Sequence, residues 1–310
     1  MNASAGEGVR VLAGATCSGK TALAIELAER FDAEIVGADS RQLYRGMSIG
    51  TAAPTAADTA RVPHHLVAFL DPHERYSAAR YALDALVAIR AIRARGKRAI
   101  VAGGTGFYIR ALAGDVRLSA AYDEAVRARI AREARTHPPD VLHAWLAARD
   151  PARAAALHAG DRYRVARALE IALAPPSETR AVDVASLRSE AIPYVKVALE
   201  VERDEIDARI AARVATMLAA GLLDEAERIG ADAVAADAVG YPQALAFLDG
   251  LASRAALSAS LTRATRRYAR RQITWFAREP DVVWLAAHAV AETARTRLGW
   301  HDRRMRSEPT

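Results

Sequence analysis

The sequence predicts an α/β fold: a parallel sheet with helices on both faces, carrying an inserted all-helical subdomain. Three observations predict it. Short apolar runs end in small or polar residues and pass into stretches with helical spacing, the alternation of a parallel sheet and its crossover helices. From about residue 117 to 180 that alternation stops, and helix follows helix without a convincing strand. The length of 310 residues accommodates one domain with an elaboration, or two. The expected division is a core of residues 1–116 and 181–310, with residues 117–180 inserted as a helical domain.

In chain order, Val9–Ala13 reads as a strand and Thr21–Arg30 as the helix after it. Glu34–Ala38 is a second strand, ending at Asp39-Ser40. Arg98–Ala102 is a third, ending at Gly103-Gly104-Thr105-Gly106 with Phe107-Tyr108-Ile109 following. Tyr194–Val201 and Val282–Leu285 complete the strands. The insertion shows three helical patterns, AYDEAVRARIAREAR, DVLHAWLAAR and DRYRVARALEIAL, and closes at Pro175-Pro176-Ser177. No internal repeat is visible, and the tail HDRRMRSEPT is expected to be disordered. In such sheets ligands bind beyond the carboxyl ends of the strands. The polar clusters Gly14–Thr21, Asp39-Ser40 and Gly103–Thr105 are therefore expected to meet at one edge.

Composition narrows the function. A content of 52% hydrophobic and 26% charged residues is that of an ordinary globular chain. No apolar run is long enough to cross a bilayer, and MNASAGEGVR lacks the basic-then-apolar build of a secretion signal. One cysteine rules out a disulfide framework and a Cys-based metal site, so a cytoplasmic protein with no membrane partner is expected. The net charge of +6 hints at a polyanionic partner. Lysine occurs only three times, so 40 of the 43 basic residues are Arg, and position says more than abundance. The last sixty residues hold 12 Arg against 5 acids, while the rest of the chain is slightly acidic.

The most specific motif is GATCSGKT, residues 14–21, which has the Gly-x-x-x-x-Gly-Lys-Ser/Thr form of a phosphate loop, as in ATP- and other nucleotide-binding proteins. It lies between a strand and a helix, as that loop requires. Backbone N–H groups of Gly14, Ala15, Thr16, Cys17, Ser18 and Gly19 and the helix N-terminus would cradle phosphates. Lys20 would neutralise them, and Thr21 would hold Mg2+. Asp39, at the end of the neighbouring strand, suits a magnesium ligand or a general base, and equally a plain helix cap. Arg41-Gln42-Leu43-Tyr44 beyond it suits contact with a second substrate.

In TRATRRYARRQITWF, residues 262–276, Arg263, Arg266, Arg267, Arg270 and Arg271 fall on one helical face with no acid among them. Five like charges on one face repel, which favours RNA or another polyphosphate partner over a merely solvated surface. Tyr268 and Trp275 read as core rather than as base-stacking residues. His64-His65 lacks a third ligand at usable spacing and reads as a packed loop. Cys17 reads as a small residue tolerated in the phosphate loop, with a helix N-terminus and Lys20 nearby that could activate its thiol.

Taken together, these blocks resemble the bacterial tRNA dimethylallyltransferases, or isopentenyl-tRNA transferases, from Val11 to about Leu285. The markers are GATCSGKT, DSRQLYRGMSIGTAAPT (39–55), PHHL (63–66), DPHERYSAARY (71–81), GGTGFYIRAL (103–112), AVRARI (125–130), RYRVARALEI (162–171), VGYPQAL (239–245) and RRQITWF (270–276). The resemblance implies a P-loop NTPase-like core. It implies transfer of a dimethylallyl group from dimethylallyl diphosphate to the exocyclic amine of the adenine 3′-adjacent to the anticodon, the base being drawn from the anticodon loop into a channel. The loop would hold the leaving diphosphate rather than transfer a phosphoryl group.

By the same resemblance Asp39 is the general base, and Lys20 and Thr105 belong to the catalytic set. The implied tRNA contacts are Asp39, Ser40, Arg41, Gln42 and Thr105 in the core and Arg127, Tyr163, Arg164 and Arg167 in the insertion. Gly240, Tyr241, Arg263, Arg267, Arg270, Arg271, Gln272 and Trp275 complete them. The implied partners are the tRNA anticodon stem-loop and dimethylallyl diphosphate, with a monomer as the working unit.

The chain departs from the family pattern at Ala15 and Cys17, where Pro and Ala are usual, and at Pro242, where a basic residue is usual. Departures also occur in Leu118-Ser119-Ala120 and in the stretch APPSETRAVDV after Leu173. A small-molecule or nucleotide kinase, a prenyltransferase acting on a free nucleotide and an ATP-gated RNA-binding protein share parts of this pattern. The first two have no use for the arginine face, and the third leaves Asp39 and GGTGFY unexplained.

Overall fold

The computed structural model describes residues 8–119, 123–174, 181–182, 184–298 and 300. The closing segment at Pro175-Pro176-Ser177 and the tail HDRRMRSEPT lie outside the described residues. The strands are β1 (Val9–Ala13), β2 (Ala33–Gly37), β3 (His64–His65), β4 (Arg98–Gly103), β5 (Leu118–Ser119), β6 (Ala181–Val182), β7 (Tyr194–Leu199) and β8 (Val282–Leu285). Six of them form one sheet in the order β3-β2-β4-β1-β7-β8, and every pair in it is parallel. This is the parallel α/β arrangement that the alternation predicts and the P-loop NTPase-like core that the resemblance implies, with β1 and its phosphate loop in the interior of the sheet.

The helices follow in sequence: α1 (Lys20–Phe31), α2 (Ser48–Thr51), α3 (Ala56–Arg61), α4 (Ala78–Ala94) and α5 (Gly106–Ala113). Then come α6 (Glu124–Thr136), α7 (Pro139–Arg149), α8 (Pro151–Ala155) and α9 (Arg162–Leu173). The last five are α10 (Arg203–Ala219), α11 (Leu222–Ile229), α12 (Tyr241–Leu248), α13 (Arg254–Phe276) and α14 (Val290–Leu298). Local chemistry sets their starts. Ser77, Asp123, Asp161 and Ser253 each accept a backbone N–H of the first turn of α4, α6, α9 and α13, which satisfies donors that the helix itself leaves open.

Strand periodicity places the main core. Ile35 pairs with Ile100 and Val36 with Val101 across β2 and β4, and successive residues point to opposite faces. Ile35, Ile100 and Leu12 accordingly share one cluster with Ala24, Ile25, Leu27, Ala28 and Phe31 of α1, whose spacing is that of a single helical face. At the amino ends of the strands, Arg10 is buried, and burial pushes its pKa down to about 10. The guanidinium groups of Arg10 and Arg98 lie over the ring of Trp300, which meets Phe31 edge-on. That pole is closed, and the opposite one is left for ligands.

The chain divides into two compact units, residues 1–115 with 185–310, and residues 116–184. The second has its own core, including Ile130, Leu142, Leu146, Val165 and Leu169, and the three expected helices are α6, α7 and α9. Two details differ from the sequence expectation. The insertion contains a short antiparallel pair, Leu118 with Val182 and Ser119 with Ala181, which keeps residues 181–184 with the insertion and moves its end beyond 180. His64-His65 is not a packed loop but the edge strand β3, paired with Ile35 and Val36. Two residues are too few to show an alternation, so neither pairing is legible in sequence.

Gly103 ends β4 because nothing larger fits: a Cβ there would overlap the carbonyl of Ala38. Gly103→Ala is expected to destabilise the fold by about 2 kcal/mol or more, since the obstacle is backbone and not a movable side chain. Urea unfolding of the variant measures it.

Candidate active site

The three polar clusters do meet at the carboxyl ends of the strands. Ala38 accepts the amide of Thr105 at 3.0 Å, and the Thr105 hydroxyl accepts the amide of Ser40 at 2.9 Å. The loop after β2 is thereby tied to the loop after β4. Between these loops, the phosphate loop and helices α10 and α13 lies a cavity of about 480 Å³, within the usual range of small-ligand sites. Thr16, Cys17, Gly19, Lys20 and Thr21 line one side of it, and Asp39, Ser40, Arg41 and Gln42 another.

The phosphate loop takes its shape from backbone conformations that few residues adopt. Gly14 has φ 149° and Gly19, the residue before α1, φ 89°. Cys17 is also left-handed, with φ 64°, which costs a non-glycine residue about 1–2 kcal/mol. Its thiol is nearly buried, with Sγ 4.0 Å from the Thr16 hydroxyl. The first amides of α1 have no carbonyl within their own helix to bond, so they and the helix dipole present a partial positive charge to the cavity.

Lys20 Nζ donates to the Ala15 carbonyl at 2.6 Å. Burial pushes its pKa down to about 8; Asp39 raises it, Arg213 lowers it further and Cys17 raises it. A lysine poised in this way is protonated most favourably when an anion arrives.

Two arginines of α10 were not singled out by the sequence. Arg213 Nη1 donates to the Thr16 hydroxyl at 2.8 Å and lines the cavity. Arg209 Nη1 donates to the Cys17 carbonyl at 3.2 Å while pairing with Glu205. They are four residues apart and so share a helical face, the only signal that RDEIDARIAARV offers. With Lys20 they make the phosphate-loop side of the cavity strongly cationic. Asp39 and Asp237 are the acids of the lining: Asp39 Oδ1 accepts the amide of Arg41 at 2.9 Å, and Arg41 pairs with Asp237 at 2.8 Å.

The oxygen donors Thr21 and Asp39 suit a hard cation. Among the described residues no group of three His, Cys, Asp or Glu side chains could hold a metal. Magnesium there would complete its shell from phosphate oxygens and water, its usual habit.

Helix α13 ties these parts together through Gln272. Its Oε1 accepts the amide of Thr16 at 2.7 Å and its Nε2 donates to the Gly104 carbonyl at 2.9 Å. Gly104 and Gly106 are glycines because a Cβ would run into Gln272 and Trp275.

The predicted RNA contacts divide accordingly. Arg263, Arg267, Arg270 and Arg271 are exposed, and Arg271 reaches the cavity. Arg266 does not stand free of acids, as expected, but pairs with Asp207 of α10 at 3.1 Å. Gln272 is buried, its amide committed to the two loops. Tyr241 is fully buried, its hydroxyl on Glu225, so its side chain offers no surface to RNA; Gly240 beside it does line the cavity. Pro242 occupies the first turn of α12, where proline is well placed. Tyr268 is not core but lines the cavity, and burial pushes its pKa up. Trp275 is half-buried, with Arg110 over its ring at 4.9 Å.

In the insertion, Arg127 and Arg167 pair with Glu170 at 4.0 and 3.0 Å, Tyr163 is 75% exposed, and Arg164 lies 3.5 Å from Asp161. His65 binds Glu34 at 2.7 Å, a structural pair at the edge of the sheet.

The Lys20 environment makes a pH prediction. Lys20 must be charged to hold diphosphate, and its pKa lies near 8. Affinity for inorganic diphosphate is therefore expected to be full below that pH and to fall as pH rises from about 8 to 10. Lys20→Arg, charged throughout, should lose this limb. Calorimetric titration over pH checks both.

A family model for IPP transferase matches residues 42–279. The tRNA dimethylallyltransferase of Anaeromyxobacter sp. (strain K) is 45% identical over 92% of this chain and 95% of that protein. That of Ralstonia pickettii (strain 12J) is 43% identical over 92% and 93%. Among solved structures, the tRNA isopentenylpyrophosphate transferase of Bacillus halodurans aligns with a TM-score of 0.68 at 33% identity, covering 94% of this chain and 97% of that one. A eukaryotic dimethylallyltransferase caught acting on tRNA aligns with a TM-score of 0.70 at 26% identity, covering 94% and 76%. The chain belongs to the IPP transferase family.

Proposed function

We propose that this protein transfers the dimethylallyl group of dimethylallyl diphosphate to the exocyclic amine of the adenine 3′-adjacent to the anticodon of tRNA. It is an enzyme of a prenyl-transferring family, and relatives 41–45% identical are named tRNA dimethylallyltransferases. The observation that carries the reading is that Lys20, Asp39 and Arg271 line one cavity. An anion site, a carboxylate and the edge of the arginine face thus converge.

In the reaction the adenine nitrogen forms a bond to the allylic carbon while the carbon–oxygen bond to diphosphate breaks. The electron pair leaves with the diphosphate, where charge accumulates. The loop amides, Lys20 and Arg213 face that charge, and such stabilisation acts most strongly in the transition state. The amine loses one proton, which the Asp39 carboxylate accepts. Its backbone anchor at Arg41 fixes one oxygen and leaves the other for the substrate. Thr105 holds the Asp39–Ser40 loop in place through Ser40. Magnesium, when bound at Thr21, would add positive charge beside the diphosphate. We place the reaction in the cytoplasm, where tRNA is found. No described helix is long and apolar enough to cross a membrane.

Two outcomes test the reading. Asp39→Asn keeps an oxygen for the Arg41 amide, so tRNA affinity should hold while kcat falls about 10²–10⁴-fold. Recovery of the rate with added magnesium would make Asp39 a metal ligand instead. Replacing Arg263 and Arg267 with Ala should weaken tRNA binding most at low salt. Each lost phosphate contact flattens the slope of log affinity against log salt by about 0.7–0.9, while KM for dimethylallyl diphosphate stays put. A salt series on the double variant measures the slope, and an unchanged one makes this helix a solvated face.

A further inference from the structure

Glu225 of α11 is a buried carboxylate, 3% exposed, and among the described residues no Lys or Arg pairs with it. Burying a carboxylate without a cation is costly unless its oxygens are fully hydrogen-bonded. Here they are. Oε2 accepts the amide of Ile49 at 2.9 Å, and Oε1 accepts the amide of Gly50 and the Tyr241 hydroxyl, both at 2.7 Å.

What Glu225 grips is a wall of the cavity. Helix α2 has no side-chain cap of its own, so Glu225 supplies from α11 the acceptors that its first amides lack. Gly50 and Thr51 of that helix line the cavity, as does Gly240 next to Tyr241. The turn in its turn holds Gln42, whose Nε2 donates to the carbonyls of Thr51 and Ala52 at 3.1 and 3.0 Å. Gln42 is three residues from Asp39 and lines the same cavity. The packing is tight enough to transmit a shift: a Cβ on Gly50 would lie 2.7 Å from the Tyr241 ring. Among the described residues Lys20 and the phosphate loop share no hydrogen bond with this network; the loop is held by Gln272, Arg209 and Arg213 instead.

We propose that Glu225 is a positioning residue: through Ile49, Gly50 and Tyr241 it sets the wall carrying Gln42, and so the seat of the adenine acceptor, without touching either substrate. The proposal rests on the function proposed above. It separates the two substrates, because the acceptor side depends on Glu225 and the diphosphate side does not.

The test compares Glu225→Gln and Tyr241→Phe with the wild type in dimethylallyl transfer to tRNA, together with amide hydrogen exchange. Glu225→Gln keeps the size of the side chain but turns an NH2 group toward donors. It should lower kcat/KM for tRNA about 10- to 100-fold, as an ångström-scale misplacement does. KM for dimethylallyl diphosphate should stay within about twofold, and only residues 42–52, not 14–21, should exchange faster. Tyr241→Phe removes one of three hydrogen bonds and should lower the same parameter about three- to tenfold. Wild-type tRNA kinetics in both variants, or equal rises in the two KM values, would overturn the proposal. If Glu225→Gln does not fold, Tyr241→Phe decides alone by the same criteria. If the wild type transfers nothing, the functional reading fails separately, and unchanged exchange at residues 42–52 in Glu225→Gln would still overturn the positioning role.

Discussion

The carboxyl edge of the sheet depends on one buried amide side chain. Gln272 sits on α13, yet its two ends hold the Thr16 amide of the phosphate loop and the Gly104 carbonyl after β4. An amide group offers an acceptor and a donor in fixed geometry, and both are used where an unmet partner would cost about 1–3 kcal/mol. This fixes the distance between the anion-binding loop and the loop that carries Thr105. It also fixes α13 against both, with Arg271 at the cavity and the other exposed arginines further round the same helix. Gly104 and Gly106 of GGTG follow from it, because α13 approaches too closely for a Cβ at either.

Charges of both signs are arranged around that frame. Lys20, Arg209 and Arg213 gather at the phosphate loop. Burial is the main reason that Lys20 titrates low, and the nearby Arg213 lowers it further while Asp39 raises it. An anion bound there would offset both effects. Asp39, which also lines the cavity, is backed by its own loop, and Arg41 is drawn aside by Asp237. A leaving anion and a departing proton thus have separate destinations, the arrangement that an alkyl transfer to a neutral amine requires.

Much of this was legible in the sequence, for identifiable reasons. The phosphate loop, the strands leading to Asp39 and Gly103, and the arginine spacing on α13 are local patterns, and their meeting at one edge follows from the rules of parallel sheets. Contacts made across the chain were not legible. Arg213 and Glu225 lie on amphipathic helices whose charged residues resemble any solvated face, and only folding brings them to Thr16 and Gly50. Gln272 and Tyr241 were expected at RNA, because a family motif marks a position without saying whether it serves a ligand or the scaffold. The His64-His65 strand and the base of the insertion escaped because two residues carry no periodicity.

In the proposed reaction diphosphate leaves from the same cavity in which the tRNA adenine is alkylated. The most direct measurement incubates the intact chain with labelled dimethylallyl diphosphate, magnesium and either tRNA or AMP, and follows label and free diphosphate together. Label is expected on the adenine beside the anticodon, with one diphosphate released per group transferred and no label on AMP. Label on AMP, or diphosphate released without label on tRNA, would contradict it.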